Sequence, residues 1–278
     1  MDDLKALGTL SGHTLVLVEA MQPGLPVIAK TGMLLRALGA AGGEGATTST
    51  LASATGLTRP TAHRLLTELA EQGFVDRDSA GRRWQLGPEL YLLGVAAASR
   101  YDVSEHARDL LADLAEQTGE SAYLSAARGR ETVCLLEVEG SFPLRSHVLH
   151  EGMRLPLGVA SAGLVILSHL PADEASTYLA STDLATQWGR SHSRRALRAR
   201  IETTRERGYA VNPGLLVEGS WGIAAAVFDH AGRPRWALSL TGVQSRFTDK
   251  RIPHLGRLLL HHAHALTKRL HGTRSQPK

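Results

Sequence analysis

Cysteine is almost missing: Cys134 is the single one in 278 residues. One thiol cannot form an internal disulfide, and it excludes any zinc finger built on paired cysteines. No uncharged apolar run approaches the ~20 residues of a membrane span. The N-terminus, Met1-Asp2-Asp3, has no cationic leader and no cleavable pattern. Together these predict a soluble cytoplasmic protein without a membrane partner. Also missing are the GxSxG elbow, the phosphate-binding P-loop and the dinucleotide GxGxxG. His254, His261, His262, His264 and His271 crowd the C-terminal end, but not at the spacing of HExxH, so no metal is assigned. No catalytic set and no cofactor follow from the sequence. A strong excess of either charge is missing too: the net is +4, with a pI near 9.4. That permits contact with nucleic acid, so the case rests on where the arginines lie.

What is present is an ordinary apolar fraction, 43%, and enough length for about two domains. The most informative stretch is Ser49 to Phe74, which reads as two short helices around a tight turn. Ser49 or Thr50 can cap the first, with Leu51 and Ala54 on its apolar side. Gly56 frees the turn and Leu57 plugs the angle. Thr58 is a good N-cap for the second helix and Pro60 suits its first turn. Ala62, Leu65, Leu66 and Leu69 then form one apolar stripe.

At about 100° per residue, Thr61, His63, Arg64 and Thr67 fall away from that stripe, and Arg59 projects from the helix start. This face is short, hydrogen-bonding and cationic, with Glu68 as its single acid. Arg, Thr and His are what a helix in the major groove uses to reach bases and phosphates. The same face would also suit an ordinary solvated helix. After Gly73, Phe74 to Arg77 alternates like a strand, Asp78-Ser79-Ala80-Gly81 turns, and Arg82 to Leu86 returns as a second strand. A basic hairpin behind a recognition helix is a wing, whose Arg77, Arg82 and Arg83 can neutralise phosphates. Candidate DNA contacts are therefore Ser49, Thr58, Arg59, Thr61, His63, Arg64, Thr67, Arg77, Arg82 and Arg83.

Around this module, residues 1 to 29 form an extension broken by Pro23, Gly24 and Pro26, with no assigned function. Thr31 to Ala41 is a helix carrying Leu34, Leu35 and Leu38, and the winged module spans 30–86. A linker helix covers 87–103, opened by Gly87-Pro88, apolar at Leu90, Leu93, Ala96 and Ala97, and suited to packing on a second copy. The span 104–272 alternates strands and helices, before a polar tail at 273–278. Ser104 caps a helix to Gln117. Strands are expected at Ser121–Ala127, Glu131–Val138, Pro143–Val148, Tyr209–Val211, Gly222–Asp229 and Arg235–Thr241. Helices are expected from Leu155 to His169 after a loop, from Pro171, from Ser193 to Gly208, and from Thr248 to Leu270. Antiparallel hairpins with helices on one side predict an α+β sensor domain and not a doubly wound sheet. Arg194, Arg195, Arg198 and Arg200 form a cationic helix face, solvated or at a subunit contact.

The chain resembles the IclR-type bacterial transcription regulators from about Thr31 to Gly272. The likeness is carried by GLTRPTAHRLLTEL (Gly56–Leu69), WQLGPELYLLG (Trp84–Gly94), RERGYAVN (Arg205–Asn212) and EGSWGIAAAVFDHAGRPRWALSLTG (Glu218–Gly242). In this order and spacing the four are specific. The resemblance implies an N-terminal winged helix-turn-helix domain, a linker helix and a C-terminal GAF/PAS-like antiparallel-sheet domain that binds an effector. It also implies dimers, or dimers of dimers, on a roughly palindromic double-stranded operator. Its recognition positions fall on Arg59, Thr61, His63 and Arg64. Its ligand loop matches Leu155 to Gly163, giving Gly158, Val159, Ala160, Ser161 and Gly163, with Asn212, Gly222, Ser239 and Thr241 as further lining. A Gly/Ser loop entering a helix offers N–H groups and a positive dipole end to a carboxylate. Plain capping and satisfied buried hydroxyls are the blander reading of the same residues.

Many family members have His, Ala, Thr where this chain has Gly158, Val159 and Ala160, cysteine at Gly222 and an acid at Asn212. The pocket is thereby less polar, which points to a larger, partly apolar acid, such as an aromatic one, as effector. His147 and His150 lie near the loop in sequence and are read as surface residues. The competing function is a small-molecule-binding or hydrolytic protein whose winged module mediates protein contacts.

Overall fold

The computed structural model describes residues 25–98, 103–144 and 148–272. It divides into two compact units, Met1–Tyr101 and Asp102–Lys278.

In the first unit, helix α1 (Val27–Ala40) leads through a single helical turn at Gly42–Glu44 to α2 (Thr48–Thr55) and α3 (Arg59–Glu71). Strands β1 (Val75–Arg77) and β2 (Trp84–Leu86) pair antiparallel, and α4 (Pro88–Ala98) follows. Leu34, Leu38, Leu51, Ala62, Leu65, Leu66, Val75 and Trp84 form one core, each nearly inaccessible. At roughly 1.5–3 kcal/mol per buried large apolar side chain, this seam is what sets the angle between α2 and α3. Gly56 ends α2 at φ 67, and the Leu57 N–H donates to Ala52 O. Two helix starts differ from expectation. α1 begins at Val27, because Pro26 sits outside the first turn and does not interrupt it. The α2 cap is Thr47, whose hydroxyl accepts from the Thr50 N–H at 3.2 Å; Ser49 lies exposed inside the first turn. A run of four hydroxyl residues, Thr47 to Thr50, offers several caps, and Thr47 alone has the extended backbone a cap requires.

The second unit opens with α5 (Val103–Thr118), β3 (Ser121–Arg128) and β4 (Glu131–Val138). Ser104 is inside α5 and does not cap it. A short β5 (Arg154–Pro156) pairs with β4. The strand expected at Pro143–Val148 is not formed at Pro143 and Leu144, and 145–147 lie outside the described residues. Helices α6 (Ser161–His169), α7 (Ala172–Ser181), α8 (Ala185–Trp188) and α9 (Arg194–Arg207) precede β6 (Tyr209–Pro213), β7 (Ser220–Phe228) and β8 (Pro234–Val243). The chain closes with α10 (Ile252–Gly272). The sheet has six strands in the order β5-β4-β3-β8-β7-β6, every pair antiparallel.

Helices cover both faces of that sheet, not one. Ala122, Leu124, Ile223, Ala225, Leu238 and Leu240 pack with α5 and α10. Tyr123, Ala224, Ala226 and Ala237, of opposite parity, pack with α6, α7 and α9. The signal was in the strands: runs such as Gly222–Phe228 carry no polar alternation, as strands buried on two sides do not. At one end of the sheet, Glu120, 2% exposed, accepts from Arg246 Nε at 2.5 Å and Arg251 Nη1 at 2.6 Å. Both guanidiniums also donate to Thr118 O. Cys134 is buried, which pushes its thiol up to about 12.

Candidate nucleic-acid interface and effector cavity

On α3 the leucine stripe is inward, while Arg59, His63, Arg64 and Thr67 are exposed together. Thr58 and Thr61 are spent on the helix start: Thr58 Oγ1 accepts from the Thr61 N–H at 3.4 Å and meets its hydroxyl at 2.8 Å. Arg64 Nη1 donates to Glu68 at 2.8 Å, with both side chains more than half exposed. The Thr67 hydroxyl donates to His63 O.

The wing arginines differ from one another. Arg77 lies over the Trp84 ring at 4.2 Å, donates to Gly81 O, and reaches His63 Nε2 at 3.3 Å. Since a guanidinium only donates, that imidazole nitrogen is the acceptor. Arg83 turns back onto the carbonyl of Gly45 at 3.1 Å, which tethers the wing to the loop before α2. Arg82 makes no side-chain hydrogen bond or ion pair among the described residues and is exposed. The Asp78 carboxylate accepts the N–H groups of Arg83 and Arg82, which holds its pKa below the usual value and fixes the hairpin turn. Trp84, which the sequence placed on the second wing strand without a role, organises the wing: it is 2% exposed, its Nε1–H donates to Thr48, and His63 and Arg77 pack on it.

In the second unit a cavity opens between the sheet and the N-terminus of α6. Ala160, Ser161, Asn212, Gly222, Ser239 and Thr241 line it, with Trp221, Leu216, Val148 and Leu149 as apolar wall. It is small, about 30 Å³ for the centres of water molecules. Ser239 Oγ is buried without a hydrogen-bond partner among the described residues. Thr241 Oγ1 is likewise buried, beside the Tyr123 hydroxyl. The start of α6 has no side-chain cap, and Ser161 and Ala162 of its first turn are among the residues lining this space. A Cβ on Gly222 would meet Ser161 Oγ at 3.0 Å.

Three of the expected residues do not line this cavity. Val159 is wholly buried in the core, and its carbonyl accepts from Asn212 Nδ2 at 2.7 Å and faces His192 Nε2 at 3.4 Å. Gly158, at φ +90, is packed beneath Leu197 and Leu167, and Gly163 abuts the backbone of Leu157. They shape the loop and do not touch the space. Asn212 lines the cavity, but its amide is engaged at both ends, the oxygen accepting from the Leu215 N–H. His150 is exposed, and His147 lies outside the described residues.

The histidines of α10 form no metal cluster with other ligands among the described residues. His262 is buried and bonds Asp113 at 2.8 Å and Leu258 O. The α9 arginines are not one solvated face: Arg200 turns inward and donates to Gly158 O at 3.0 Å.

Residues 27–79 match the IclR helix-turn-helix domain, and 95–268 match the bacterial transcriptional regulator IclR C-terminal domain. The chain belongs to the IclR family. It is a ligand-responsive, DNA-binding transcriptional regulator. The HTH-type transcriptional regulator KipR of Bacillus subtilis is 30% identical over 210 residues, 75% of this chain and 83% of KipR. The glycerol operon regulatory protein of Streptomyces griseus is 32% identical over 206 residues, 74% and 80% of the two chains. Among solved structures, the Thermotoga maritima IclR superposes with a TM-score of 0.66 at 28% identity, covering 87% of this chain and 98% of that one. No helix among the described residues is long and apolar enough to cross a membrane.

Proposed function

We propose that Arg59, His63, Arg64 and Thr67 read base edges in a major groove, with Thr58 and Thr61 fixing the helix start. Arg82, Arg77 and Arg83 then sit on flanking phosphates. The supporting observation is the exposure of the α3 face opposite a sealed leucine seam. In the same reading the winged module spans 30–86, the linker 87–103 and an effector domain of the GAF/PAS kind 104–272. Tyr91, Leu92, Leu93 and Val95, all exposed on α4, meet their equals on a second copy. Two-fold symmetry then calls for a roughly palindromic operator. The glycerol operon named for the Streptomyces relative supports a metabolic operon as target. The second unit acts as a sensor and not as an enzyme, in a cytoplasmic dimer or dimer of dimers.

The cavity at α6 takes the carboxylate of a small organic acid. Its oxygens would sit at the Ser161 and Ala162 N–H groups, and Ser239 Oγ would gain its missing partner. The Trp221, Leu216 and Val148 wall accepts an apolar body. At its present volume an aromatic ring enters only as that wall moves, and such movement is a route from ligand to DNA affinity.

The test measures affinity for DNA upstream of the regulator's own gene while pyruvate, glyoxylate or benzoate is added. Benzoate is expected to change that affinity in the wild type and to have no effect on Gly222→Val, whose side chain fills the cavity. A response to the two- and three-carbon acids alone overturns the aromatic preference. A benzoate response that persists unchanged in Gly222→Val overturns the cavity assignment.

A further inference from the structure

Beside the effector cavity, on the far side of Trp221, lies a second and larger space along the edge strand β6. Its volume is about 360 Å³, against about 30 Å³ for the first, measured alike. One wall is a face of α9 carrying Arg200, Thr203, Thr204 and Arg207, at i, i+3, i+4 and i+7, so the four lie in one row. The facing wall is apolar and aromatic, made by Tyr209, Val211, Trp221 and Ile252. Asp249 on the rim is its one acidic residue.

Neither cation of that row forms an ion pair among the described residues. Arg207 is exposed, and its side chain makes no hydrogen bond or ion pair among the described residues. Arg200 is mostly buried, and its one hydrogen-bond partner among the described residues is the neutral Gly158 carbonyl. Its Nε and Nη1 are inaccessible and unsatisfied. Burial alone lowers its pKa to about 10, which leaves it charged at neutral pH. A buried guanidinium facing one carbonyl is under-satisfied, and a carboxylate within reach of its long stem would draw it outward.

We propose that the α9–β6 groove is a second ligand site, for an amphipathic organic anion too large for the effector cavity. Arg200 and Arg207 seat its carboxylate, and Trp221, Tyr209 and Val211 hold its ring. The site couples to the first, because Arg200 is also what grips Gly158 in the loop that enters α6. An anion that recruits Arg200 releases that carbonyl, so the two occupancies are thermodynamically linked.

The inference stands beside the effector-cavity reading, and its experiment separates the two. The probe is 2-naphthoate, titrated by calorimetry into the full chain. Gly222→Val, with its effector cavity filled, should bind it as the wild type does. Arg207→Ala and Arg200→Met should each weaken it about tenfold, the range for one lost charge-assisted hydrogen bond. Arg200→Met should fold at least as well as the wild type, since it removes a buried charge without a counter-ion. If it does not fold, exposed Arg207 carries the test alone. The proposal is overturned if naphthoate does not bind at millimolar concentration, if Gly222→Val abolishes binding, or if the arginine variants bind as the wild type does.

Discussion

Arg64 and Glu68 meet across one turn of α3 with both side chains more than half exposed. Such a pair is worth little in water, so the guanidinium can leave it for a guanine edge. Arg64→Ala should therefore weaken operator binding by about 10- to 100-fold while leaving non-specific binding nearly intact. The Arg82 side chain has no hydrogen bond to give up among the described residues. Arg82→Ala should weaken binding to all sequences alike and reduce the salt slope by about one. A different residue sets a pH dependence. His192, 1% exposed, has its pKa lowered chiefly by burial, despite the Trp188 carbonyl beside it, and the Arg200 charge lowers it further. Its folded pKa lies below its unfolded one, so the unfolded chain takes up the proton first as pH falls. Stability from this group is complete above its ordinary value of 6.5 and is lost as pH drops through the folded pKa. His192→Gln should flatten the melting temperature against pH across that window, and an unchanged slope contradicts it. At this scale the sequence pattern exposed the α3 face well, because a 3.6-residue period separates it from the leucines. It could not expose Arg200, because an arginine among arginines on a basic helix reads as solvated until the loop beneath it is known.

Helices and strands follow local rules that the sequence carries openly: Gly56 and Gly208 in the left-handed region end α2 and α9, and Ser193 caps α9. Layering was less legible, since a strand's second face is apolar only in relation to a helix elsewhere in the chain. The end of the sheet depends on such a distant contact. Glu120 with Arg246 and Arg251 joins the start of β3 to the turn before α10, and Gly242 has no side chain because a Cβ would sit 2.1 Å from Glu120 Oε2. Glu120→Ala leaves two guanidiniums without their shared carboxylate and should cost about 3 kcal/mol in urea unfolding of the second unit. In the first unit the tight element is the loop before α2. Gly45 is at φ +65, with Trp84 O only 2.3 Å from where a Cβ would stand. Gly45→Ala should lower the melting of the winged unit and weaken DNA binding without changing ligand binding by the second unit.

For the whole molecule, two units with separate cores make separate tasks possible, and α4 carries the apolar surface that neither core uses. Tyr91 is 72% exposed and Leu92 57%, a pair of large side chains a lone molecule would leave in water. Tyr91→Glu with Leu92→Glu should shift sedimentation to the monomer, and operator affinity should fall by more than any single α3 substitution achieves, since both half-sites are then bound independently. The central claim is that the α3 face reads sequence. It is tested most directly by selecting binding sites from random duplex DNA with the full chain and measuring affinity for the winner across salt. A two-fold symmetric site should emerge, with a steep salt slope, and His63→Ala with Arg64→Ala should abolish preference for it. Selection that yields no common sequence, or a double variant that keeps full preference, would contradict the account.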